Sequence, residues 1–217
     1  MPGAFITFEG IEGSGKSTQI SRLLHYFTEQ RRPARLTREP GGTPIGDQVR
    51  RVLLDPANRL LDPTAELLLY AASRAQHLRE VILPALAEGR IVLCDRFSDA
   101  TLAYQGYGRG LSVPVIRELD RIVTNGLQPT LTVLLDLPAE LGLGRARGRN
   151  ESQGLHGEAR FENEDIVFHN RVRDGYLQLA EQEPGRIRVV NAARSPEEIQ
   201  ADVRKIVDEV LNQVHCK

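Results

Sequence analysis

The sequence predicts a three-layer α/β/α fold built on a five-stranded parallel sheet, and two observations carry that reading. Short β-like apolar runs alternate along the chain with stretches of helical periodicity, the signature of successive βαβ units. The first run, Ala4-Phe5-Ile6-Thr7-Phe8, also leads into the eight residues Gly10 to Ser17, which read G-x-x-x-x-G-K-S and precede the helical spacing Ile20, Leu23, Leu24, Phe27. A strand before and a helix after are the context that makes this spacing a phosphate-binding loop, or P-loop.

Taken in order, strands are expected at 4–8, 34–38, 90–94, 131–136 and 187–190, with helices near 17–31, 44–54, 64–88, 112–125, 138–147, 163–183 and 196–214. The third helix contains the unbroken run Leu67-Leu68-Leu69-Tyr70-Ala71-Ala72, apolar on more than one face. One side is therefore expected on the sheet and another against a second subunit, with Pro84 ending or kinking the helix. In the last helix Ile199, Val203, Ile206, Val207, Val210, Leu211 and Val214 recur on one face. Ser195 and Pro196 supply its N-cap and first position and Glu198 its third, so that helix is core packing. A length of 217 residues with 41% hydrophobic residues fits one domain, 1–217, with ample core.

Composition excludes several classes of function. A net charge of −1 argues against binding to nucleic acid or to a membrane surface. There is no run of 18 apolar residues and no basic-then-apolar N-terminal signal, so a cytoplasmic protein is expected. Only Cys94 and Cys216 are present, which indicates neither a disulfide framework nor a cysteine metal site.

The glycines Gly10, Gly13 and Gly15 allow positive φ and close backbone approach, so the N–H groups from Gly10 through Ile11, Glu12, Gly13, Ser14 and Gly15 can turn into one concavity at a helix N-terminus. Phosphates of ATP are expected there. Lys16 would reach the β- and γ-phosphates, Ser17 would supply a hydroxyl to Mg²⁺, and Thr18 would steady the first helical turn. The chain holds 28 Lys+Arg, yet lysine occurs only at 16, 205 and 217. A compact ammonium was kept where a planar fork would not serve.

Ligands of such sheets bind beyond the carboxyl ends of the strands. Four stretches stand there or nearby: "TREPGGT" at 37–43, "LLLYAASR" at 67–74, "CDRFSDATLAYQGYG" at 94–108 and "GRARGRNESQGLHGEARFEN" at 144–163. Together with a P-loop carrying Glu12, they resemble the thymidylate kinases, a nucleoside monophosphate kinase-like P-loop family, over nearly the whole chain. Phosphoryl transfer between two polyanions needs Mg²⁺, the P-loop and several arginines converging on one cleft, and no general base. Arg38, Arg74, Arg96 and the cluster at 145–149 fit that demand; for Arg74 the sequence pattern leaves a solvated surface arginine and a ligand contact both open.

The resemblance implies roles residue by residue. Tyr70 would stack on thymine and Arg74 hydrogen-bond the base; Arg38 and Arg96 would clamp the acceptor phosphate. Tyr104 and Gln105 would meet sugar and base, the tyrosine ring crowding a 2′-hydroxyl. Asp95 would orient Mg²⁺ and its waters. Glu12 would lie at the junction of donor and acceptor, near the deoxyribose 3′-hydroxyl and an acceptor arginine. Glu9 is expected to be structural, paired with a nearby arginine. Some members carry an arginine after Glu12. This chain has Gly13, and the arrangement resembles bacterial members in which a mobile lid, about 145–161, brings the charge: Arg147 and Arg149 for catalysis, Arg145 stacked on adenine.

The implied activity is transfer of the ATP γ-phosphoryl group to dTMP, giving dTDP for DNA synthesis, by an Mg²⁺-dependent homodimer. A kinase for another monophosphate shares the P-loop, but R-E-P-G-G-T with Tyr70 and Arg74 argues against it. A guanine-nucleotide switch would need an N-K-x-D run, and the three lysine positions leave no place for one.

Overall fold

The computed structural model describes residues 3–153 and 160–215, with the side chains of 149–153 and 214–215 outside the description. Five parallel strands form one sheet in the order β2-β3-β1-β4-β5: β1 (Ala4–Glu9), β2 (Ala34–Arg38), β3 (Ile91–Asp95), β4 (Leu131–Asp136) and β5 (Ile187–Asn191). The expected strands are matched to within a residue at each end. The P-loop follows β1, so the phosphate site is expected above the middle of the sheet.

Alternation along β1 decides what each layer contains. Ala4, Ile6 and Phe8 pack against α1 (Lys16–Glu29) and α9 (Pro196–His215) through Ile20, Leu23, Phe27, Val203, Val207 and Leu211. Phe5 faces the other layer, with Val92, Cys94 and Phe97. Thr7 and Glu9 fall on that same second face by period two, which is how a glutamate ends up wholly buried. The second layer holds α2 (Pro44–Leu54), α3 (Pro63–His77), α6 (Val113–Thr124) and α8 (Ile166–Gln182). Ser195 and Glu198 close the capping box of α9: the Glu198 carboxylate accepts from the Ser195 N–H at 3.0 Å and the Ser195 hydroxyl from the Glu198 N–H at 3.3 Å.

Four expectations need correction. The helix expected at 64–88 is α3, a π-helical turn at Leu78–Ile82 and the short α4 (Leu83–Ala87). Pro84 stands in the first turn of α4, where its missing N–H is tolerated, and the π-turn before it takes up the mismatch. Residues 98–108, outside the expected strands and helices, form α5 (Ser98–Thr101) and a π-helical segment at Leu102–Gly108. The helix expected at 163–183 begins at Ile166, where the Asp165 carboxylate caps the Phe168 N–H at 2.7 Å, and a 3₁₀ turn at Phe161–Asn163 precedes it. The helix expected to stop at 147 is α7 (Ala139–Gln153), so much of the supposed lid loop is helical.

At the other end of that lid Arg160 is buried, its guanidinium donating to the Leu53 carbonyl and to Glu66. Arg160, which the expected lid of about 145–161 included, is thereby anchored to α2 and α3. Cys94 is buried and unpaired. Cys216 and Lys217 lie outside the described residues, as do 154–159 of the lid and the side chains of Arg149 and Val214. No helix among the described residues is long and apolar enough to cross a membrane.

Candidate active site

One cavity of about 850 Å³ runs across the carboxyl edge of the sheet from the P-loop to α3. At its P-loop end the backbone does the work. Gly15, at φ +91°, caps α1 in the left-handed region that glycine enters without steric cost. Gly13, at φ +70°, abuts α7: a Cβ there would lie 2.0 Å from the Gly142 carbonyl oxygen. Close packing of α7 on the loop thus excludes any side chain at 13, and with it the arginine that other sequences carry.

Lys16 is buried, and its Nζ donates to the carbonyls of Gly10 at 3.0 Å and Ile11 at 2.9 Å. Burial and the neighbouring Arg96 push its ammonium down to about 8, against the raising influence of Asp95, Glu12 and Glu9. Ile11 contributes only backbone, since its side chain is 2% exposed in the core. Ser14 is likewise buried, whereas Ser17 and Thr18 are exposed and line the cavity. The Ser17 hydroxyl donates to Asp95 Oδ2 at 3.1 Å, placing two hard oxygen ligands together beside Lys16. No cluster of three or more His, Cys, Asp or Glu suited to a metal occurs among the described residues. That pair suits Mg²⁺, which keeps most of its waters and takes one or two protein oxygens plus phosphate.

The wall beside the loop is built from side chains. Arg96 follows β3 at φ +69°, a left-handed conformation that costs a non-glycine residue about 1–3 kcal/mol. Four hydrogen bonds hold it there: Nη1 donates to the Gly10 carbonyl at 2.9 Å and the Tyr176 hydroxyl at 3.0 Å, Nη2 to Glu12 Oε1 and the Tyr104 hydroxyl, both at 3.0 Å. Each tyrosine then passes its own proton to a glutamate, Tyr104 to Glu12 at 2.6 Å and Tyr176 to Glu9 at 2.7 Å. Glu9 also accepts the Phe97 N–H at 2.7 Å. Its expected arginine pairing is therefore indirect, through Tyr176.

The two glutamates differ in charge for stated reasons. Burial, then Asp99, pushes the Glu9 carboxyl up to about 8 against Arg96, Tyr176 and the Phe97 N–H, so it is protonated at neutral pH. Burial alone would raise Glu12 too, but His169, Arg96, Lys16 and Tyr104 hold it well below the usual carboxylate range.

Arg74 is buried, with three donors committed: Nε to Glu39 at 2.8 Å, Nη1 to Asp120 at 3.2 Å and Nη2 to Thr101 at 2.8 Å. A guanidinium has five N–H donors, so two remain for the cavity it lines. Of the two readings open for Arg74, a solvated surface residue is ruled out. Tyr70 lines the cavity half-buried, and burial raises its phenol well above the usual value. Gln105 lines the same wall but gives an N–H to Glu66 at 2.8 Å. Arg38 is 54% exposed at the end of β2, 3.7 Å from Asp47.

Arg145 and Arg147 do not join this group. Arg145 donates to the Ala192 carbonyl at 3.0 Å, beyond β5. Arg147 is exposed on α7, roughly 200° further round the helix at 100° per residue. Sequence reading missed Glu39, Thr101, His169 and Tyr176. The last two sit in the α8 stripe Phe168, Val172, Tyr176, Leu179, whose spacing reads as core.

Comparison with known proteins gives a consistent family. The family model described as thymidylate kinase matches residues 8–203. Thymidylate kinase from Trichlorobacter lovleyi is 59% identical over 210 residues, covering 97% of this chain and 98% of that protein. Thymidylate kinase from Geotalea uraniireducens is 54% identical over 205 residues, covering 94% and 96%. Among solved structures, thymidylate kinase from Ehrlichia chaffeensis superimposes with a TM-score of 0.76 at 34% identity, covering 95% of this chain and 99% of that one.

Proposed function

The chain belongs to the thymidylate kinase family, and from that premise we propose how its cavity divides the work of phosphorylating dTMP with ATP, the reaction that supplies dTDP for nucleotide synthesis. ATP lies along the P-loop from Gly10 to Thr18, with Lys16 on the β- and γ-phosphates and Arg145 toward adenine. The deoxynucleotide lies at the far end, with thymine against Tyr70, Arg74 and Gln105, deoxyribose by Tyr104, and phosphate between Arg38 and Arg96. One observation carries this reading: a single cavity is lined by the phosphate-cradling loop with Lys16 and by Tyr70, Arg38, Arg74 and Arg96, and Arg96 meets Lys16 at the Gly10 carbonyl, to which both donate. Bound Mg²⁺, held by Ser17 and oriented by Asp95, would neutralise charge on the phosphates of ATP.

Catalysis in this arrangement is alignment and charge neutralisation. The acceptor phosphate, whose second pKa is about 6, is already a nucleophile at neutral pH. Glu12 is not a base; it stays ionised and fixes Arg96 and Tyr104 where that phosphate arrives. Arg147 and Arg149 on α7 supply charge to the transferring group when the segment preceding residue 160 closes, and the chain acts as a single domain. We further propose a cytoplasmic homodimer. Support for the dimer comes from Leu68 of α3 and Val115 of α6, exposed by 54% and 61% on helices that pack together.

The test is ADP release over a panel of nucleoside monophosphates. Expected is a preference for dTMP over dGMP and dCMP of several orders of magnitude. Over dUMP it should be only about 10- to 200-fold, because one methyl in an apolar pocket is worth roughly 1–3 kcal/mol. Equal use of dCMP would refute the pocket.

A further inference from the structure

Glu12 has two carboxylate oxygens and only one is accounted for. Oε1 accepts from Arg96 and Tyr104. Oε2 is buried and holds no hydrogen bond, and the same is true of one atom facing it, Nδ1 of His169, 3.4 Å away. His169 is fully buried on α8. Its other ring nitrogen, Nε2, lies 3.0 Å from the carbonyl of Phe161. A carbonyl can only accept, so Nε2 carries a proton. If that were the only ring proton, the Nδ1 lone pair would point at a carboxylate oxygen inside a low-dielectric site, and both buried atoms would be left without a hydrogen bond. A second proton on Nδ1 satisfies both atoms at once. The charges around the pair permit it: Glu12 faces the ring directly, and Arg96 pairs with the other oxygen of that carboxylate.

We propose that His169 is a positioning residue, an imidazolium whose Nδ1–H fixes Oε2 of Glu12 while its Nε2–H ties that carboxylate to Phe161, the 3₁₀ turn where the lid segment ends. His169 touches neither substrate. It acts through Glu12 on the acceptor arginine, and the inference rests on the reading that Glu12 serves the acceptor end.

The two ring contacts can be separated by substitution. The amide of His169→Asn reaches about as far as Nδ1 and keeps a donor on Glu12; that of His169→Gln reaches about as far as Nε2 and keeps the Phe161 contact only. Expected is kcat/KM for dTMP within about threefold of wild type for H169N and about 10- to 30-fold lower for H169Q, with KM for ATP unchanged within twofold in both. In the ¹⁵N spectrum of the intact enzyme, the two His169 ring nitrogens, identified by their absence in H169N, should both show protonated shifts at pH 7. Wild-type acceptor kinetics in H169Q with loss in H169N, or an unprotonated Nδ1, would overturn the proposal. Glu12→Gln is the control for the underlying reading: if E12Q leaves dTMP kinetics untouched, Glu12 does not serve the acceptor, whatever the state of His169.

Discussion

The two ends of the cavity solve the same problem, holding a phosphate, by opposite means. At the P-loop end the groups that would meet phosphate come from backbone N–H and one lysine, all within nine consecutive residues from Gly10 to Thr18. At the acceptor side one strained arginine is held by a carbonyl and a glutamate of the P-loop itself and by tyrosines from two further segments, with Tyr176 80 residues from Arg96 in sequence. A backbone site is specified by glycine and needs no supporting shell. A side-chain site needs its partners fixed in turn, and here the two tyrosines donate to two glutamates, Glu12 and Glu9, whose charge states differ.

The largest effect should come from the element that bridges both ends. If α7, seated on Gly13, leaves no room for an arginine in the loop, the charge meeting the γ-phosphoryl group must be carried by the lid. Arg147→Ala and Arg149→Ala together should then lower kcat about 10³-fold, as loss of an arginine finger does, with ATP affinity by calorimetry barely changed without dTMP. A double variant with near-normal kcat would make the lid a cover only. Single variants would show whether one position carries the charge.

Lys16→Ala should come next, with turnover down more than 100-fold and the fold intact by circular dichroism. Retention of a tenth of wild-type activity would sink the donor-site assignment. A smaller effect probes the same group without mutation. With the Lys16 ammonium near 8, about one molecule in eleven keeps it at pH 9, so ATP should bind about tenfold more weakly at pH 9 than at pH 7. Calorimetry at pH 9 in two buffers of different ionisation enthalpy should also show proton uptake on binding. Equal affinity at both values would mean that ATP does not rely on the ammonium.

The contrast between the ends also explains what was legible. The strands, the P-loop and the capping box of α9 could be read because each is local: spacing within about ten residues carries them. The helix expected at 138–147 runs on to Gln153, and its first turns are anchored on the P-loop by Gly142, a contact about 130 residues distant in sequence. Arg74 and Arg96 could be located from their strand and helix positions, but not the partners that orient them. His169 and Tyr176 occupy an apolar stripe, where a histidine or tyrosine looks like packing. Glu39 precedes a Pro-Gly-Gly turn that gives no sign it is 4% exposed beneath Arg74.

The smallest effect separates the two glutamates themselves. Glu9 binds its proton in the folded chain up to about pH 8 but, when unfolded, only to its ordinary value of 4.5. The folded state therefore holds a proton that the unfolded chain has lost throughout that window. Stability from this group is fully present below about 4.5, falls as pH rises toward 8, and is constant above. Glu9→Gln removes the charge as protonation does, and its carbonyl can still accept the Phe97 N–H. The variant should match wild type near pH 4.5 and melt a few degrees higher than wild type at pH 8.5, where the wild type must ionise a buried group or keep a costly proton. Glu12→Gln should do the reverse, losing stability at pH 8.5 because it leaves Arg96 without its counter-charge. Thermal melts of both variants at the two pH values decide the matter. Should E9Q lose stability at pH 8.5 as E12Q does, the fold favours the Glu9 carboxylate instead of disfavouring it, and the two glutamates of the Arg96 network are alike.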